Sequence, residues 1–380
     1  MLARSTRESE YLRYPMRRLR VVHVGPSPSA RGGIASVIRR LVDVQRRDPY
    51  LEVGSVATME GPGRRHKLRA AIRGMHQVYR MLRDRPRDLV LHVHAASRAS
   101  MLRKSCVVSL AHHYEVPVIL HAHGGGLERF FTEGSHPYRR IVLRTLRLAD
   151  RRVAVSGELA RQIEVISGRG ASVVYNGIDV DAFRTHPRSS AGPFKILYLG
   201  RVCEPKGIYV LLEAFRELTR ETEGGEYQLL IAGEGETDAV RRRAREQGTQ
   251  DDVKILGWLD PESRTRALRT ADVLVLPSTQ LEAFGLALIQ AMAAELPVIA
   301  TRVGGVPEIV QDGTTGVLVP PRDPHAIAHA VARLARDEAE RRRLADNGLE
   351  KVRRDFDQRT WADEIKRLYI ALHRGAHLTT

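Results

Sequence analysis

Short aliphatic and β-branched runs recur along the chain, and between them apolar positions return at helical spacing. LRVVHVG (19–25), DLVLHVH (88–94), PVILHAH (117–123) and RRVAVS (151–156) come first. KILYLG (195–200), YQLLIAG (227–233), VKILG (253–257), ADVLVLP (271–277) and LPVIAT (296–301) follow. Strands alternating with helices in this way build parallel sheets covered on both faces. The polar stretch FRTHPRSSAGP (183–193) carries two prolines and runs straight into a new strand, which marks a boundary between two units. The expected fold class is therefore α/β: two Rossmann-like, doubly wound parallel-sheet domains whose carboxyl strand ends face an interdomain cleft. The expected division is a basic N-terminal arm over 1–18, a first domain over 19–183, a linker over 184–193 and a second domain over 194–356. A C-terminal helix and tail over 357–380 is expected to pack back on the first domain.

Length agrees with this division, since 380 residues exceed what one core supports. No apolar run approaches the roughly 20 residues that span a bilayer. Residues 1–18 are basic but lack the apolar core of a signal peptide, so a cytoplasmic protein is expected. Cys106 and Cys203 stand far apart without a C-x-x-C pair, which argues for reduced thiols rather than a disulfide or a zinc site. Charge adds something the pattern does not contain: a net +16 attracts polyanions, acidic headgroups and phosphorylated substrates. With 5% aromatic residues and no zinc finger, RNA-recognition signature or basic zipper, nucleic acid is not the expected partner.

The candidate chemistry sits at strand ends. After the first strand, the turn ending in Gly32 and Gly33 leads into a helix from about Ile34. Free amides and the helix dipole at such a turn favour an anion, although a plain tight turn would also need its glycines. The spacing is not G-x-G-x-x-G, so dehydrogenase-type dinucleotide binding is not expected. His92 and His94, like His121 and His123, alternate along a strand, so each pair shares one sheet face. No carboxylate or cysteine joins either pair at ligand spacing, and no metal site is expected. His123 is the functional candidate of the four, because Gly124 to Gly126 after it let a substrate approach the backbone.

In the second half, the loop after KILYLG carries Arg201 and Lys206. A guanidinium can grip two phosphate oxygens while an ammonium adds a movable point charge, a combination suited to a diphosphate. The stretch LEAFGLALIQ (281–290) places Glu282 before a helix and Phe284 and Gly285 at its N-terminus. Gln290 follows about 9–12 Å further along at 1.5 Å per residue. That separation matches a diphosphate bridge with a sugar at one end and a ribose at the other. Leu286, Leu288, Ile289 and Met292 of the same helix build core. Residues 64–83 read as a helix with Leu68, Ala71, Ile72, Met75, Val78, Tyr79 and Leu82 on one face and mostly basic residues elsewhere. This pattern fits a helix packed on its own sheet and also one resting on anionic lipid.

Taken in order, the Gly32-Gly33 turn, VSGEL (155–159), YNGID (175–179), GRVCEPKG (200–207), LEAFG (281–285) and GGVPEIVQDGTTGVLV (304–319) resemble the retaining glycosyltransferases of the GT-B fold, family 4. The resemblance covers nearly the whole chain. It implies that Arg201 and Lys206 hold the donor diphosphate, helped by Gly33, Phe284 and Gly285. It implies Glu282 and His123 at the transferred sugar, position 290 at the ribose, and the base near Gly233, Lys254 and Leu256, read largely by backbone. The acceptor, a glycan, lipid-linked saccharide or small molecule, would lie between Gly32, His94 and Arg98. Neither cofactor nor metal is implied, and the donor would be a nucleotide sugar, UDP-linked ahead of GDP-mannose. Cell-surface polysaccharide or glycoconjugate synthesis at the inner membrane face would be the setting. Two positions depart from the family pattern: Gln290 replaces a glutamate, and Tyr175 replaces a proline, a change expected to alter only local packing. A sugar-nucleotide 2-epimerase and a non-catalytic nucleotide-sugar-binding module are the alternatives. The set Arg201, Lys206, Glu282 and His123 favours transfer over both.

Overall fold

The computed structural model describes residues 18–377 apart from 62, 85, 87, 97, 184–191, 221–225 and 281. The expected N-terminal arm, save residue 18, and the expected linker, save its last two residues, lie outside the described residues. Two six-stranded sheets organise the rest. The first contains β1 (Leu19–Pro26), β2 (Leu51–Met59), β3 (Leu89–Ala95), β4 (Val118–Ala122), β5 (Arg151–Ala154) and β6 (Ser172–Val173), in the order β2-β1-β3-β4-β5-β6. The second contains β7 (Phe194–Leu199), β8 (Tyr227–Ala232), β9 (Val253–Gly257), β10 (Val273–Leu276), β11 (Val298–Thr301) and β12 (Val317–Val319), in the order β12-β11-β10-β7-β8-β9. Neighbouring strands are parallel in both sheets. This is the two-domain doubly wound architecture expected from the strand and helix rhythm.

The sequence pattern did not reveal β2, β6 and β12. All three lie at sheet edges or ends, where burial is weak or the strand is only two or three residues long. Strand β2 also carries Gly54 and Ser55 in its middle, which depress strand propensity.

Strand order reverses beside β1 and β3 in the first sheet and beside β7 and β10 in the second. Loops diverge at such points and leave a crevice at the carboxyl ends, where doubly wound sheets bind ligands. The chain passes between domains twice, and the two passages are joined. Ile178 N–H donates to the Phe356 carbonyl at 2.9 Å, and Gln358 N–H donates to the Ile178 carbonyl at 2.9 Å. The helix Gln358–His377 then returns to the first sheet, where Trp361, Ile365 and Tyr369 pack in one cluster with Leu19, Val21, Val90, Ile119 and Val153. Large apolar side chains buried this way contribute about 1.5–3 kcal/mol each, enough to hold the helix in place.

The helix over 64–83 forms as expected, but its apolar residues divide between two faces. Ala70, Val78 and Leu82 are buried, whereas Leu68, Ile72 and Tyr79 are 62%, 63% and 40% exposed. Gly74 sets this rotation: a Cβ there would lie 2.5 Å from the Ala57 carbonyl oxygen of β2, so the helix presses its glycine side onto the sheet.

Candidate active site

At the second-domain crossover, strand β7 ends in a loop held by its own backbone. The Tyr198 hydroxyl donates to the Arg201 carbonyl at 2.5 Å, and burial pushes that phenol well above its ordinary pKa. Val202 N–H donates to the Glu234 carbonyl at 2.9 Å and Glu236 N–H to the Val202 carbonyl at 2.8 Å, which ties this loop to the one after β8. Gly207 lets the loop close against the end of β10, since its φ is +74° and a Cβ would lie 1.7 Å from the Pro277 carbonyl oxygen. Lys206, just before it, forms an ion pair with Glu282. The Ser278 hydroxyl reaches the same carboxylate at 3.3 Å, and Gly305 N–H donates to the Glu282 carbonyl at 2.9 Å. An ammonium and a carboxylate are thus fixed together where the sheet order reverses. Gly285, with φ +96°, caps the helix Leu286–Ala293, and Gln290 on that helix is 5% exposed.

The first-domain crossover is built differently. In register, His23 of β1 pairs with His92 of β3, and His94 of β3 pairs with His121 of β4. Parallel partners and alternate residues share a face, so these four and His123 all project from one side of the sheet. Nearer the amino ends, the same face carries Leu19, Val21, Val90 and Ile119. The lining therefore changes from aliphatic to imidazole as the strands run toward the cleft. His23 Nδ1 lies 3.0 Å from His94 Nε2, and His94 Nδ1 lies 2.9 Å from His123 Nε2. His92 Nε2 lies 3.0 Å from His121 Nδ1, and His92 Nδ1 lies 2.6 Å from the Tyr369 hydroxyl. Burial lowers the pKa of His23 to about 4 and of His123 to about 3. His92, His94 and His121 fall well below the ordinary value through burial and then through mutual repulsion. The cluster is neutral at physiological pH, and His123 is its half-buried member.

Neutral imidazoles are also the metal-ligating form. The triples His23, His92, His94 and His94, His121, His123 each bring ligand atoms within 4.8 Å of one another. Spacing along a single strand did not foresee this, because the groups come from three strands.

The domains meet directly above these floors. A Cβ at Gly33 would lie 3.5 Å from Leu286 Cδ1, so the two helix N-termini face each other. Arg31 pairs with Glu234, and its guanidinium sits 4.6 Å from the centroid of the Trp258 ring. Glu308 accepts from Gly157 N–H at 2.7 Å and Glu158 N–H at 3.0 Å, capping the helix Gly157–Ser167 across the interface. Tyr175 donates to the same carboxylate at 3.0 Å and stacks 6.1 Å from Phe284. The residue that stands where the family has proline therefore does more than repack locally: it hydrogen-bonds across the domain junction and touches the LEAFG segment.

Residues 30–182 match the family model Glycosyltransferase Family 4, and residues 179–351 match Glycosyl transferases group 1. The chain belongs to the group 1 glycosyltransferase family. Phosphatidyl-myo-inositol mannosyltransferase of Mycobacterium leprae is 37% identical over 224 residues, 57% of this chain and 58% of that protein. Glycogen synthase of Mycobacterium tuberculosis is 32% identical over 277 residues, 70% of this chain and 66% of that protein. The matches thus span 58% and 66% of these relatives' own length. Among solved structures, sucrose-phosphate synthase from Thermosynechococcus elongatus superposes with a TM-score of 0.77 at 22% identity, covering 94% of this chain and all of that one (100%). Anabaena HepE in complex with UDP and glucose gives 0.75 at 18% identity, covering 93% and 100%. At such identities the likeness is one of fold, and the fold is GT-B.

Within this family frame, the structure gathers Arg201, Lys206, Glu282, Phe284, Gly285 and Gln290 around the second crossover, with Gly33 opposite. Arg201 is exposed at the loop, and Phe284 offers its backbone because its ring is 3% exposed among aromatics. Gly233 lies at the β8 loop and Leu256 is 40% exposed near the end of β9. Lys254, expected beside the base through its backbone, offers no side chain there. Its ammonium turns back to the Asp251 carbonyl at 2.7 Å, toward the amino end of β9 and away from the cleft. On the acceptor side, Gly32 is open, with φ +125° and nothing within 4 Å of a Cβ. Arg98 lies 4.3 Å over the Phe130 ring. His94 is removed from direct contact with an acceptor: it is 1% exposed, and its nitrogens are engaged by His23 and His123. Sequence reasoning missed His23, Gln45, Tyr369, Arg31, Trp258 and Glu308. Of these, only His23 carried a signal, as a fifth histidine near a strand's carboxyl end.

Proposed function

We propose that the chain is a retaining, metal-independent glycosyltransferase that moves a sugar from a nucleotide-diphosphate donor, a UDP-sugar ahead of GDP-mannose, to a saccharide or lipid-linked acceptor. The observation that carries this reading is the Lys206–Glu282 pair at the second crossover, faced by Gly33 across the cleft. Lys206 and Arg201 neutralise the charge that grows on the departing diphosphate, the largest single source of such catalysis. Glu282 holds the sugar hydroxyls. Neutral His123 serves as a hydrogen-bonding group rather than as a cation. The acceptor oxygen bonds to the anomeric carbon on the face the phosphate leaves; the carbon–phosphate oxygen bond breaks, and the acceptor proton passes to the phosphate. UDP and glucose bound by HepE support a UDP-sugar, and the mannosyltransferase relative supports mannose as the second choice.

A thermal-shift series over UDP-glucose, UDP-galactose, UDP-N-acetylglucosamine and GDP-mannose tests the donor. A true donor at 100 times its Kd stabilises the folded state by about 2.7 kcal/mol; no shift with any of them rejects the reading. Product formation unchanged by EDTA supports metal independence, and its loss overturns it.

We also infer peripheral docking on the anionic inner leaflet through the helix Arg64–Arg83. Its exposed Leu68, Ile72 and Tyr79 lie among exposed Arg65, Lys67, Arg69, Arg73 and Arg80, a pattern that suits headgroups and acyl boundary together. No helix among the described residues is long and apolar enough to cross a membrane. Co-sedimentation with phosphatidylglycerol vesicles is expected at low salt and should weaken at high salt. Absence of binding at low salt rejects the docking.

A further inference from the structure

Four buried histidines and the half-buried His123 are joined into two chains that meet at one amide. Gln45, the last residue of the helix Gly33–Gln45, is 2% exposed. Its Oε1 lies 3.0 Å from His23 Nε2, and its Nε2 donates to the Tyr369 hydroxyl at 3.4 Å. A neutral imidazole has one donor and one acceptor nitrogen, so the group at the head of a chain sets the direction of every bond after it.

In the first chain, the Gln45 oxygen can only accept, so His23 donates from Nε2 and accepts at Nδ1. His94 therefore donates from Nε2 to His23, and His123 donates from Nε2 to His94. His123 Nδ1 is left carrying a lone pair. In the second chain, the Tyr369 hydroxyl lies 3.4 Å from Gln45 Nε2, 3.5 Å from Gln45 Oε1 and 2.6 Å from His92 Nδ1; its one proton goes to the much shorter contact with His92 Nδ1, and His92 Nε2 then donates to His121 Nδ1. That chain then ends in an N–H at His121 Nε2, an atom buried without a hydrogen-bond partner among the described residues.

We propose that Gln45 is a positioning residue whose amide oxygen orients the chain through His23 and His94, so that His123 presents Nδ1 as a hydrogen-bond acceptor to a sugar hydroxyl in the cleft, while Tyr369 orients the other chain. The functional half rests on the transferase reading above; the tautomers do not. Tyr369 sits on the C-terminal helix, so the segment that returns from the second domain also determines the protonation pattern beneath the first-domain floor.

The test is long-range nitrogen–proton correlation spectroscopy on the full chain labelled with ¹⁵N-histidine, read alongside steady-state transfer. In the wild type, His23, His92, His94, His121 and His123 are all expected as Nε2–H tautomers; an Nδ1–H tautomer at His123 overturns the proposal without any variant. Gln45→Met should leave His23, His94 and His123 as tautomer mixtures while His92 and His121 keep theirs, because Tyr369 still donates. Tyr369→Phe should mix His92 and His121 and leave His123 unchanged. Gln45→Met is expected to lower kcat roughly tenfold, the worth of one neutral hydrogen bond, with the donor KM within about twofold. A single unaltered His123 tautomer in Gln45→Met overturns the proposal, as does stoichiometric zinc in the purified protein bound by His94, His121 and His123. If no donor supports transfer but the tautomers behave as stated, the transferase reading fails and the relay stands.

Discussion

The two crossovers face each other across one cleft and are built on opposite physical principles. The second-domain side presents charge: Arg201 is exposed, and Lys206 and Glu282 are paired at side-chain exposures of 33% and 15%. The first-domain side presents neutral imidazoles, buried and bound to one another. A charged pair near solvent can exchange partners when a diphosphate arrives. A buried neutral network cannot, since any unpaired donor or acceptor in it would carry a full desolvation penalty. One side is therefore suited to neutralising charge as it develops and the other to holding a neutral ring in one orientation.

The contrast breaks most visibly at Lys206. Lys206→Ala should lower turnover by roughly 10²–10³ at saturating donor, the cost of removing one preorganised transition-state contact; a near-normal rate would assign the charge work elsewhere. Acid should act on the other side. The buried histidines have folded pKa values below the ordinary 6.5, with His23 at about 4 and His123 at about 3. The unfolded chain therefore binds more protons than the folded one between those values. Stability is fully present above pH 6.5 and is lost as pH falls toward about 4. Hydrogen exchange should rise first in β1, β3 and β4, while β7 to β11 stay protected; uniform loss in both sheets would erase the distinction. The smallest effect is expected at Gln290→Glu, which restores an acceptor-only group at the ribose position. Donor affinity should change by a fewfold through charge assistance, with kcat little altered; a collapse of kcat at saturating donor would move Gln290 from anchoring to chemistry.

The second-domain site was legible because it is local. Arg201, Lys206 and Gly207 lie in one loop, and Glu282 to Gly285 in another, each at a strand end that hydrophobic pattern alone reveals. The first-domain floor was only half legible. Alternation within β3 and β4 put His92 with His94 and His121 with His123, but the partners that give them direction come from elsewhere. Gln45 and Tyr369 stand 324 positions apart, and no spacing rule links them.

Period-two and helical apolar patterns, glycines and cations act over a few residues, so the two-sheet architecture and the charged loops could be read from the chain alone. Packing was needed to show which partners the five histidines meet, which face of the helix Arg64–Arg83 is left to solvent, and that Tyr175 reaches Glu308. Each of these depends on a hydrogen bond or close contact between segments that only packing brings together. A buried polar group takes its state from its partners, and partners distant in sequence are set by the fold.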